Sequence, residues 1–93
     1  MTRNANIEKA LNILNYRDWT WEMAEDNFRG RHAAAKAEMR AFVEEVNKIE
    51  DAEVREALRR FWTLKYYRLQ AEYKGEKFQD EVELDALKKR FAA

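Results

Sequence analysis

Cysteine and proline are absent, glycine occurs only at Gly30 and Gly75, and the single histidine is His32. Each shortage excludes something. Without cysteine there is no disulfide staple and no thiolate metal site, which fits a reducing compartment such as the cytoplasm. Two distant glycines cannot form a phosphate-cradling loop. One histidine supplies neither a Glu-x-x-His pair nor a His-Glu-x-x-His motif, and no calcium-loop spacing occurs, so no metal or cofactor is expected. No apolar run approaches the ~20 residues of a membrane span. Asn4, Asn6, Glu8 and Asn12 interrupt the first stretch too often for a signal peptide.

What is present points to helix. Charged residues make up 39% of the 93 positions, and Ala, Glu, Lys, Arg and Leu are abundant with almost no breakers. The length suits one domain, residues 1–93, with a modest core. The charges cancel to zero but are segregated. Residues 38–56 hold seven acids against three bases, and residues 59–77 hold six bases against two acids. Such a dipole can associate head to tail or offer its basic end to an anionic partner.

The longest pattern runs from Asp18 to Glu50. At about 100° per residue, Trp21, Phe28, His32, Ala35, Met39, Phe42, Val46 and Ile49 share one line, with heptad spacing from Phe28 onward. It predicts a long central helix capped by Asp18. Alternation from Trp19 to Met23 is also a strand signal, but the acids Glu22 and Glu25 favour a first helical turn. Gly30 inside this helix implies either a kink or a close-packed neighbour. A line of small residues (Gly30, Ala34, Ala37, Ala41, with Met23) on the opposite face invites the first helix or a second subunit.

Around this centre lie simpler elements. Residues 4–15 form a first helix capped by Asn4 or Asn6, followed by a connector over 15–17. Asp51 starts a helix that ends at Gly75 in the manner of a C′ glycine. The last helix begins after Asp80 and runs over 82–91. The fold class is therefore all-α: an antiparallel long-helix hairpin with a short helix at each end, a three- to four-helix bundle. Register places Ile49 opposite Val54, Phe42 opposite Phe61, and His32 near Glu72.

Two constellations could carry function. In the first, His32, Arg68, Glu72 and Lys65 come together as a polar layer that fixes register. The sharper version is a small-anion site, with Arg68 and Lys65 as clamps and His32 as acid or base, but without a nucleophile it defines no reaction. The second is the wide arc of the helix after Asp51. Val54, Leu58, Phe61 and Leu64 make one stripe. Trp62, Tyr66, Leu69 and Tyr73 make another, flanked by Arg59, and one partner helix cannot cover both. This surplus predicts an interaction surface, filled by a second copy in a homodimer or by another protein. Interleaved cations and rings over 59–77 also suit nucleic acid, although zero net charge speaks against a dedicated binder. Trp19 lies half a turn off the seam, either under the first helix or as an exposed anchor. The expected function is a small, non-enzymatic helical interaction module.

Overall fold

The computed structural model describes residues 5–91, which form five helices: α1 Ala5–Arg17, α2 Trp21–Phe28, α3 Ala33–Val46, α4 Ala52–Lys74 and α5 Glu81–Phe91. The all-α class expected from composition stands. No helix among the described residues is long and apolar enough to cross a membrane.

The 23-residue α4 is the hub, and α1, α2, α3 and α5 all pack against it. Asp51 caps it, its side chain accepting from the backbone N–H groups of Glu53 (2.9 Å) and Val54 (3.2 Å). The predicted stripe Val54, Leu58, Phe61 and Leu64 is buried, and Ile49, Val46, Phe42, Ile13 and Leu84 close the core around it. Facing pairs differ from the predicted register. Phe42 stacks on Trp62 at 4.2 Å between ring centroids, whereas Phe61 stacks on Phe91 of α5 at 5.5 Å.

The continuous central helix is corrected to two helices, α2 and α3. At Gly30 φ is +88°, a left-handed backbone that L side chains avoid. The Arg31 N–H donates to the Asp26 carbonyl (2.8 Å) and the Gly30 N–H to the Asn27 carbonyl (3.1 Å). That pair of bonds is a Schellman stop with Gly30 at C′. The same two bonds recur at Gly75, from Glu76 to Ala71 and from Gly75 to Glu72. A Cβ built at Gly30 meets nothing within 4 Å, so no close-packed neighbour requires the glycine.

Asp18 is not the cap of α2. Thr20 takes that place, its side chain accepting from the Met23 N–H. Asp18 instead accepts from the Trp19 N–H and pairs with Lys65 of α4. Trp21–Met23 is helix, as preferred over strand. The first helix runs to Arg17, so residues 15–17 are helical, and Asn6 lies within it. The Asn6 carboxamide accepts from the Asp51 N–H at 3.4 Å. The alternative cap, Asn4, lies outside the described residues. Trp21 and Met39, both assigned to the buried seam, are 41% and 47% exposed. On the small-residue face Ala34 and Ala37 are exposed.

The last helix, α5, is tied to α4 by its core residues Leu84 and Phe91 and by a two-pronged ion pair. Arg60 Nε and Nη2 donate to Glu83 Oε2 and Oε1 at 2.6 and 2.9 Å. These hydrogen bonds hold the Glu83 carboxyl below the ordinary carboxylate range, against a smaller opposing effect of desolvation. A lowered folded-state value contributes stability above the unfolded value of about 4.3 and loses it as pH falls through the folded value. The pair is exposed and its effect small. Thermal melts should show the parent slightly above Glu83→Gln at pH 7 and the two converging on acidification through that range. A gap independent of pH would mean the ion pair contributes nothing.

Candidate functional site

A hollow of about 330 Å³ opens between α3 and α4. His32, Ala35, Lys36 and Met39 line one side of it, and Trp62, Thr63, Tyr66 and Tyr67 the other. Trp19 and Asn27 complete it. The small Ala35 side chain, buried on α3, leaves the space that a larger residue would fill.

Aromatic contacts build this wall. Trp19 lies against Trp62 (4.6 Å) and Tyr66 (4.7 Å), so it is neither under α1 alone nor a free anchor. Phe28 of α2 covers Tyr66 (5.3 Å) and Tyr73 (5.1 Å). Trp62 is buried at 5% exposure, and its Nε1–H donates to the Arg17 carbonyl at 2.7 Å. The Trp19 Nε1–H is also buried but has no hydrogen-bond partner among the described residues. Such an unmade bond costs about 1–3 kcal/mol.

A short polar chain crosses the edge of the hollow. His32 Nδ1 lies 2.6 Å from Asn27 Oδ1, and Asn27 Nδ2 donates to the Tyr66 hydroxyl at 2.6 Å. In this orientation of the amide, Oδ1 is an acceptor, so His32 carries its proton on Nδ1. Tyr66 accepts from Asn27, and its own O–H proton stays available to a further acceptor.

The structure distributes the sequence-predicted residues differently. Of the predicted polar layer of His32, Arg68, Glu72 and Lys65, His32 stands apart from the other three. The stop at Gly30 takes His32 out of the heptad register and into the segment before α3, where it bonds Asn27. Lys65 is paired with Asp18. Lys65, Arg68 and Glu72 together line a smaller hollow of about 180 Å³, on the α5 side, with Trp19, Leu69, Leu84 and Lys88. The predicted interaction stripe is divided as well. Trp62 is core, Tyr66 is half-buried under Trp19 and Phe28, and Leu69 lines the smaller hollow. Tyr73 remains 40% exposed beside Trp21, and Arg59 is engaged by Glu56 (2.8 Å) and Asn47 (2.7 Å). Sequence reading missed Asn27, Lys36 and Thr63 as site residues, whereas Tyr67 belongs to the aromatic and basic stretch over 59–77. Tyr67 is 45% exposed and forms the rim with Met39.

No three His, Asp or Glu side chains gather as a metal site among the described residues. The chain matches no family model, and no characterised protein or solved structure is similar to it.

Proposed function

We propose that this protein is a small, non-enzymatic protein–protein interaction module that seats a side chain of its partner in the hollow between α3 and α4. The reading takes α3 and α4, joined through the turn at 47–51, as an antiparallel hairpin whose helices wall the groove. One observation carries it. The hollow joins an aromatic interior to a rim where Met39 and Tyr67 stand 47% and 45% exposed. Tyrosine, tryptophan and methionine are enriched where proteins meet, and methionine adapts to irregular partners. Nucleic acid is the weaker reading, because Arg59, Arg60 and Lys65 of the basic stretch are already paired with Glu56, Glu83 and Asp18.

The test places a photoreactive benzoylphenylalanine at Tyr67 and, as a control, at Val82, which is 86% exposed on α5. Illumination in the native host should give a discrete protein adduct from position 67 that position 82 does not give, and Met39→Glu should abolish it. Equal labelling from both positions, or none, rejects the reading. Light scattering separates the two kinds of partner. A peak at 11.2 kDa leaves the hollow open to another protein, and a peak at twice that mass gives it to a second copy.

A further inference from the structure

The groove also carries information about what enters it. Its volume, about 330 Å³, lies at the bottom of the range for small-molecule sites, so it holds one large side chain rather than an extended cofactor. Its charge is one-sided. Lys36 and His32 line it, and none of the lining residues is an acid. Lys36 is exposed and makes no ion pair among the described residues, so its ammonium is open to a partner's carboxylate. An exposed strip leads on from the hollow. Lys36, Met39 and Val43 follow one another at helical spacing along one face of α3, about 10 Å at 1.5 Å per residue, with Val43 beyond the lining of the hollow. Met39 and Val43 are 47% and 39% exposed, so the cationic end of the strip runs into an apolar end.

We infer that the partner presents an acidic amphipathic helix, with one apolar anchor in the hollow and carboxylates in an adjoining turn set against Lys36. This rests on the interaction reading above and adds the partner's chemistry. Helix-in-groove recognition uses anchors one and two turns apart, and a strip of this length matches about two turns. Complementary charge then fixes the direction in which the helix lies and suppresses basic competitors.

The experiment uses the intact chain carrying Trp21→Phe. Trp21 is outside the hollow, so the remaining Trp19 and Trp62, which both line it, report occupancy by their emission. Three alanine-based helical peptides of about 15 residues are titrated. The first has a central Phe and glutamates in the turn before it. The second replaces those glutamates with lysines, and the third replaces the Phe with Ala. The first should bind at least about tenfold tighter than either control, more weakly as salt is raised, and Lys36→Glu should reverse the preference between the glutamate and lysine peptides.

Equal binding of the glutamate and lysine peptides overturns the acidic partner while leaving a hollow that seats an anchor. Binding of none of the peptides overturns the inference, and the crosslinking at Tyr67 then decides separately whether the interaction reading survives. Free phenylacetate binding as tightly as the first peptide overturns it in favour of a small aromatic acid. A second copy of the chain displacing the peptide at micromolar concentration overturns it in favour of self-association.

Discussion

Replacing Trp62 with Ala is expected to lower the unfolding free energy by about 3–5 kcal/mol. The ring stacks on Phe42 and meets Trp19 at a tilt, it is 5% exposed, and its N–H is the hydrogen-bond donor for the Arg17 carbonyl. Truncation therefore removes two aromatic contacts, opens a cavity and leaves a carbonyl without its donor. For a domain of this size each kcal/mol moves the melting temperature by roughly 4–8 °C, so the shift should fall between about 12 and 40 °C. Two milder variants separate the causes. Trp62→Phe keeps a stacked ring but loses the bond to Arg17, and should cost about 1–3 kcal/mol. Trp19→Phe also keeps a ring, and it removes an N–H that has no partner, so its lost contacts are offset. Urea unfolding followed by circular dichroism gives all three values. If Trp62→Phe costs no more than Trp19→Phe, the hydrogen bond to Arg17 is not a significant part of the anchor.

Gly30→Ala is the second case, and its sign is informative. Inside a continuous helix this change would stabilise the protein by about 1 kcal/mol. At φ +88° it should instead destabilise by about 1–2 kcal/mol, because an L side chain in the left-handed region crowds its own carbonyl. No neighbouring atom lies within 4 Å of the added carbon, so the whole cost is local. Gly30→Asn should cost less, since asparagine tolerates this conformation. A more stable Gly30→Ala variant in denaturant melts would show that the helix continues through position 30.

Much of α4 could be read directly. Asp51 as cap, Gly75 as stop and the stripe from Val54 to Leu64 all follow from local chemistry, and each is where the spacing puts it. Gly30 was harder, because the apolar spacing runs through it without a break. Phe28 and His32 are four residues apart, just as they would be in one helix. Periodicity records which side chains are apolar but not the sign of φ. The cue lay in the comparison between the two glycines, since Gly30 makes the same pair of stop bonds as Gly75. The hollow was not legible for a related reason. Once the chain turns at Gly30, Phe28 of α2 covers Tyr66 and Tyr73, and Met39 of α3 is left on the surface. The angle between separate helices, which decides that exposure, is absent from a one-dimensional pattern.

One arrangement near the start of α4 brings the two ends of the described chain together. Asn6, close to the beginning of α1, accepts from the Asp51 N–H, and Arg90, close to the end of α5, lies 4.0 Å from Glu53. Both ends of the described chain thus meet the first turn of the same helix. That turn is about 15 Å along the α4 axis from Thr63, where the hollow opens. The described chain therefore begins and ends beside one pole of α4, at a distance from the mouth of the groove.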